Sequence, residues 1–166
     1  MTAISYVLSR WPLAALAISA AMLAAAHAFQ TFGGLAPCHL CLKQREVYWA
    51  ALAIAGVGAV LRFTPLRVGR LVCAVLAVAF LCGAALAVYH AGAEWKFWPG
   101  PASCSGGLGS VDAADLTRLL QGAAMRPPSC DKAAWVFLGL SMAGWNALFS
   151  LGLASASALS ARSVDR

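Results

Sequence analysis

The sequence predicts an all-α membrane protein, a bundle of four transmembrane helices with two loops on one face. Hydrophobic residues make up 61% of the 166 residues and charged residues only 11%, against about 45–50% and about 25% in an average soluble domain. Long apolar stretches divide the chain, and a helix needs about 20 such residues to cross a membrane. The length suits a single integral membrane domain, and the composition excludes disordered, collagen-like and coiled-coil chains.

The apolar stretches set the expected helices in order. We expect them at about residues 11–29, 42–62, 70–90 and 133–155. Pro12 suits the first turn of the first helix, and this stretch is longer than the apolar core of a secretion signal, so we expect it to stay uncleaved. The second stretch is short in apolar residues, so its helix is expected to include the charged residues that follow Cys41.

Two loops separate the helices on one face, at about 30–41 and 91–132. The second is long, polar and rich in glycine and proline. Within it, residues 111–121 suit a short amphipathic helix with Ser110 as its N-cap. This helix is expected either to lie on the membrane surface or to pack on the loop itself.

The distribution of charge predicts the orientation. The chain has 12 Lys and Arg against 6 Asp and Glu, and the basic residues are scattered singly, which argues against nucleic-acid binding. If the N-terminus is cytoplasmic, the inside segments hold six basic residues in 32, and the outside segments hold six in 60. The positive-inside rule therefore favours cytoplasmic N- and C-termini, with both loops on the opposite face.

Six cysteines fall into two groups. Cys73 and Cys82 both lie in the third helix, about 13.5 Å apart along its axis. That separation prevents a disulfide between them, and we expect both to pack as small buried residues. The remaining four lie in the two loops: Cys38 and Cys41 in the first, Cys104 and Cys130 in the second.

The C-x-x-C pair, Cys38 and Cys41, is typical of redox-active cysteines. Its small ring stabilises a fold little compared with a long one. The pair also falls where the second helix is expected to begin, and a helix N-terminus with nearby cations favours a thiolate. Two alternatives stay open here, static loop disulfides and a zinc site completed by Cys104 and Cys130.

Four polar residues, three near helix ends and one within the fourth helix, are considered for roles at a site. Arg45 lies one helical turn after Cys41, and a cation near the hydrocarbon boundary is a functional candidate. His27 and His90 are expected at the same membrane level, with His90 the stronger candidate. Asn146, in the fourth helix, is expected to bond to another helix rather than to a ligand.

These residues together resemble the DsbB family of bacterial inner-membrane thiol oxidases. The likeness covers about residues 35–155, and its specificity comes from the order of the motifs. They are Pro37-Cys38-His39-Leu40-Cys41 with Arg45, His90, Glu94-Trp95, Trp98-Pro99-Gly100-Pro101 before Cys104, Pro128-Ser129-Cys130-Asp131, Trp135 and Phe137-Leu138-Gly139-Leu140-Ser141. Gln44 stands where some members carry an acid.

The resemblance implies a relay at the periplasmic side of the inner membrane. Cys104 and Cys130 would take electrons from a periplasmic DsbA-type thiol oxidase, and Cys38 and Cys41 would pass them to ubiquinone or menaquinone. Arg45 and His90 match positions linked to the quinone. The loops would then be periplasmic, and no metal is expected.

Three other functions fit part of this pattern. A related oxidase dedicated to another substrate would use the same chemistry. A non-enzymatic four-helix protein would carry static loop disulfides and tolerate loss of Arg45. In the vitamin K epoxide reductase type the loop pair precedes the C-x-x-C, whereas here it follows.

Overall fold

The computed structural model describes residues 10–63, 68–101 and 130–163. These residues contain long helices and one small hairpin, as follows: α1 (Trp11–Thr31), α2 (His39–Leu61), α3 (Gly69–Glu94), β1 (Val136–Phe137), β2 (Leu140–Ser141) and α4 (Met142–Ser163). The prediction of four long helices is confirmed. Cys104 and the possible helix at 111–121 lie outside the described residues.

The four helices have 21 to 26 residues each. At about 1.5 Å per residue, the shortest is about 31 Å long, which matches the hydrocarbon core of a bilayer. Among the described residues, α1 and α3 are also apolar enough to cross a membrane. That α2 and α4 cross it as well stays a prediction.

The fourth helix begins at Met142, and the predicted start near residue 133 is wrong. The intervening residues form the antiparallel hairpin of β1 and β2. Its turn places Leu138 at φ 51° and Gly139 at φ 78°, a left-handed conformation that interrupts any helix and that glycine adopts without strain. The apolar composition of this segment fits helix and hairpin equally well, so the turn decides its structure.

The helices pack in chain order, α1 on α2, α2 on α3 and α3 on α4. Glycine allows a close approach between α2 and α3: a Cβ at Gly58 would lie 2.6 Å from Cγ1 of Val72. Leu76 and Phe80, both fully buried, fill the core beside this contact. This packing fixes the end of α3 beside the start of α2, where the cysteines lie.

The two cysteines of α3 do not share an environment. Cys73 is buried as predicted, but Cys82 is exposed, so that part of the prediction is wrong. Nine residues correspond to about two and a half helical turns. The two side chains therefore lie on opposite faces of α3.

Polar side chains of α4 are satisfied without water. Ser155, Ser157 and Ser160 each donate to the carbonyl four residues earlier, at 2.7 to 2.9 Å. Nε1 of the buried Trp11 donates to Oγ of Ser157 at 2.7 Å and joins α1 to α4. Hydrogen bonds of this kind let a serine-rich helix lie in an apolar setting.

Candidate redox site

The start of α2 holds the C-x-x-C pair. Cys38 is the N-cap, and its Sγ accepts a hydrogen bond from the backbone N–H of Cys41 at 3.3 Å. The two sulfur atoms lie 2.9 Å apart, and both cysteines are free. Cys41 belongs to the first turn of α2 rather than to the preceding loop, so the helix holds both sulfurs in one fixed arrangement.

Cys130 and His90 also lie close to the sulfur of Cys38. Nε2 of His90, near the end of α3, lies 3.6 Å from Sγ of Cys38. Sγ of Cys130 lies within 4.8 Å of both groups, and all three residues are buried. Cys130 is disulfide-bonded. Its sulfur is therefore not a thiolate ligand of the kind a zinc site needs, and we interpret the cluster as a redox site.

The surroundings of Cys38 favour its thiolate. They lower the pKa of the Cys38 thiol to about 4. The hydrogen bond between the Cys38 and Cys41 sulfurs is the largest cause, and the contact with His90 also lowers the pKa, whereas burial opposes both. A thiolate rather than a thiol is the nucleophile in disulfide exchange.

Arg45 is fixed at the edge of the same site. Nη1 donates to Oε1 of Gln30 at 2.7 Å, and Nη2 donates to the carbonyl of Ala26 at 2.9 Å. Both partners belong to α1. The guanidinium thus holds α1 to α2, and the half-buried Arg45 lines the same cavity as Cys41.

A cavity of about 440 Å³ opens beside the cysteines. Residues of the first loop, the hairpin and all four helices line it. One wall is a row of aromatic rings whose successive centroids lie 5.3 to 6.4 Å apart, namely Phe29, Trp135, Phe137, Trp145 and Phe149. Its polar end is formed by Cys38, Cys41, Arg45, His90 and Glu94. An apolar cleft with a few converging polar groups is typical of a small-molecule site.

A buried row of polar groups connects α4 to the cluster through α2. The hydroxyl of Tyr48 donates to Oδ1 of Asn146 at 2.6 Å and lies 3.1 Å from Oγ of Ser150. Nδ2 of Asn146 donates to Oε1 of Gln44 at 2.8 Å, and Nε2 of Gln44 lies 3.0 Å from Nδ1 of His90. The predicted bond from Asn146 to another helix is confirmed.

Glu94 also belongs to the site, although the sequence pattern gives it no role there. Its Oε1 lies 3.7 Å from Nε2 of His90, one helical turn earlier, and its carboxyl also bonds to Ser141. Its Oε2 is buried with no hydrogen-bond partner among the described residues. The i, i+4 spacing from His90 was the available signal. His27 lies apart, exposed, with Nδ1 donating to the carbonyl of Leu23 at 2.8 Å.

The matches to known proteins all belong to one family. The family described as Disulfide bond formation protein DsbB matches residues 9–160. Disulfide bond formation protein B of Methylococcus capsulatus is 35% identical over 156 residues, covering 89% of this chain and 90% of that protein. The protein of the same name from Polaromonas sp. is 31% identical over 122 residues, covering 73% and 71%. No solved structure matches the chain.

Proposed function

Because the chain belongs to the DsbB family of membrane-bound disulfide bond formation proteins, we propose that it is a thiol oxidase that reoxidises a periplasmic DsbA-type protein and passes the electrons to a membrane quinone. Family membership implies disulfide-forming oxidoreductase activity. The observation that carries the finer proposal is the meeting of both cysteine pairs at Cys38, whose Sγ lies 2.9 Å from Sγ of Cys41 and within 4.8 Å of Sγ of Cys130.

The first exchange takes place between the partner and the second loop. A thiolate of the reduced partner attacks Cys104 of the Cys104–Cys130 disulfide, and Cys130 leaves as a thiolate. The partner's second thiol then resolves the mixed disulfide and releases Cys104. The partner leaves with a disulfide, and Cys104 and Cys130 now hold its two electrons and two protons.

The second exchange takes place between the two pairs. Cys130 attacks Cys38 of the Cys38–Cys41 disulfide, and Cys41 leaves as a thiolate. Cys104 then attacks Cys130, which restores the second disulfide and releases Cys38. The low pKa of Cys38 makes it a good leaving group in this last step. The electron pair has moved to the cysteines that line the cavity.

The cavity suits a quinone. Its aromatic wall fits a flat, apolar ring system, and we expect Arg45 and His90, which both line its polar end, to lie nearest the ring oxygens. A bound ubiquinone or menaquinone supplies an acceptor for two electrons and two protons. Arg45, tied to α1, contributes a fixed positive charge that stabilises the Cys41 thiolate.

We place the protein in the bacterial inner membrane, with all four helices crossing it. The charge distribution supports cytoplasmic N- and C-termini, with both cysteine-bearing loops in the periplasm. This compartment is oxidising and keeps disulfides formed. There the protein would meet its partner and support the folding of exported proteins.

The proposal is tested by mixing the purified full-length protein with a reduced DsbA-type protein and a soluble ubiquinone analogue. We expect one quinone to be reduced per disulfide formed in the partner, followed by quinone absorbance and thiol titration. A parallel reaction with a menaquinone analogue identifies the preferred quinone.

The matched control is Cys104→Ser, which removes the entry cysteine and should stop the reaction. Normal turnover by this variant, or no quinone reduction by the unaltered protein with either analogue, would overturn the proposal. Oxidation of a different periplasmic dithiol protein with DsbA left reduced would indicate a dedicated oxidase instead.

A further inference from the structure

The hydrogen bonds of the buried polar row, which runs from Tyr48 through Asn146 and Gln44 to His90, all point the same way. Each amide side chain offers one accepting end and one donating end, so the orientation of one member fixes that of the next. The hydroxyl of Tyr48 donates to Oδ1 of Asn146, which turns Nδ2 of Asn146 toward Oε1 of Gln44. Gln44 therefore presents its Nε2 amide hydrogens to Nδ1 of His90. The orientations of both amide groups are assigned from this continuous row of hydrogen bonds.

The polar row determines which imidazole nitrogen of His90 carries the proton. Nδ1 of His90 accepts from Gln44, so the hydrogen of the neutral ring resides on Nε2. Nε2 lies 3.6 Å from Sγ of Cys38 and 3.7 Å from Oε1 of Glu94. Both atoms are hydrogen-bond acceptors when their groups are ionised. With its hydrogen on Nε2, the neutral ring can donate to Sγ of Cys38 while its Nδ1 accepts from Gln44.

We propose that Gln44, Asn146 and Tyr48 are positioning residues that hold His90 in its neutral Nε2–H form, so that His90 serves Cys38 as a fixed hydrogen-bond donor and not as a base. A proton on Nδ1 would require Gln44 and Asn146 to turn together and Tyr48 to give up its donation. This assignment concerns the thiol site itself, and it goes beyond the oxidase proposal because it depends neither on the quinone nor on the partner.

The groups that set the charge around Cys38 come from several elements. Among the described residues, Cys41 faces it from α2, His90 and Glu94 face it from α3, and the disulfide-bonded Cys130 adds no titrating group. The guanidinium of Arg45 is tied to α1. Among the described residues, Gln44 forms hydrogen bonds with His90 and Asn146 and with no sulfur atom, so its influence on Cys38 passes through His90.

Nitrogen NMR of histidine tests the tautomer directly. The full-length protein, labelled with ¹⁵N-histidine in detergent micelles, is expected to show His90 neutral with the hydrogen on Nε2. His27→Gln and His39→Gln assign the signal. Tyr48→Phe removes the first donor of the polar row and is expected to give a mixture of the two tautomers. The control Tyr89→Phe changes a tyrosine outside this row and is expected to leave the tautomer unchanged. A proton on Nδ1 in the unaltered protein would overturn the proposal.

Thiol reactivity provides a second test in which two variants have opposite expected effects. Gln44→Leu frees the ring, and we expect the pH midpoint of Cys38 alkylation to rise by about one unit, a tenfold loss of thiolate at a fixed acidic pH. Gln44→Glu places an acceptor at Nδ1, favours the imidazolium and lowers the midpoint or leaves it unchanged. Mass spectrometry of the reduced, alkylated protein identifies Cys38.

A purely structural role for Gln44 would give shifts of the same sign in both variants, or no shift, and either result would overturn the assignment. Both experiments omit partner and quinone, so the oxidase proposal and this one fail separately.

Discussion

Cys73 and Cys38 are both buried cysteines, but the molecule surrounds them differently. Cys73 lies in the main core with Leu76 and Phe80, where its neighbours are apolar. Cys38 lies in a small cluster with Cys130 and within hydrogen-bond reach of His90. Burial alone therefore does not decide whether a thiol reacts: the donors around its sulfur do.

The same contrast separates the polar groups at the two ends of the bundle. The hydroxyls of Ser155 and Ser160 donate to carbonyls of their own helix, so these hydrogen bonds connect no other part of the molecule. Gln44 and Asn146 bond across helices in a row that leads to His90. Local satisfaction stabilises a helix, whereas a row between helices can transmit orientation to a reactive atom.

Loss of the reactive sulfur gives the largest expected effect. Cys38→Ala is expected to reduce the turnover of reduced partner by about 10³-fold or more, because the sulfur that Cys130 attacks is gone. Cys73→Ala, the matched control, is expected to keep turnover while lowering the free energy of unfolding by about 1 kcal/mol. Quinone reduction and thermal unfolding measure the two effects. Equal turnover by both variants would remove the contrast.

The pH dependence of alkylation sharpens the contrast without any partner. Because the pKa of Cys38 is lowered to about 4, its thiolate is present above that pH and is lost as the pH falls through it. Its rate of reaction with iodoacetamide is expected to stay nearly constant from about pH 6 to 8, whereas an ordinary thiol gains about tenfold per pH unit. A tenfold rise per unit at Cys38 would contradict the assignment, and Cys73 is expected to stay unmodified in the folded protein.

Substitution of Arg45 tests the polar end of the cavity. Arg45→Met is expected to raise KM for quinone about tenfold, and Arg45→Lys is expected to recover only part of this loss because an ammonium cannot contact two acceptors as a fixed fork does. Lys43→Met is the control, since Lys43 pairs with Glu46 on the exposed side of α2. A similar KM for all three variants would show that Arg45 only holds α1 to α2.

The smallest effect is expected at the surface pair near Cys130. Nζ of Lys96 lies 2.7 Å from Oδ2 of Asp131, and both side chains are more than a third exposed. Lys96→Met is expected to lower the free energy of unfolding by less than about 1 kcal/mol, and the difference should shrink further in high salt. Thermal unfolding at two salt concentrations measures this, and a larger, salt-independent loss would assign the pair a structural role.

Much of the fold could be predicted because its signals are local. Apolar length identified four helices, and the C-x-x-C spacing with Arg45 one turn later placed three site residues on one helix end. The hairpin before α4 escaped prediction because the segment is apolar in either structure and the turn depends on backbone angles at Leu138 and Gly139.

The polar contacts of the site depend on packing between helices. In the sequence, Gln44 is only a departure from a family pattern, and nothing there indicates that it faces both Asn146 and His90. Glu94 belonged to a motif but had no assigned role until its carboxyl was placed beside His90. Contacts between distant parts of a chain are settled by packing, which a single sequence does not display.

The short distance between Cys38 and Cys130 has a kinetic consequence. Sulfur atoms within 4.8 Å of each other exchange as parts of one molecule, and such reactions reach effective molarities of roughly 10⁵ M or more once the reacting atoms approach to about 3–3.5 Å. No dissolved thiol approaches such a concentration. In the proposed relay, transfer between the two pairs is then faster than any encounter with the partner, and the overall flux rises in proportion to the amount of reduced partner that diffuses to the membrane.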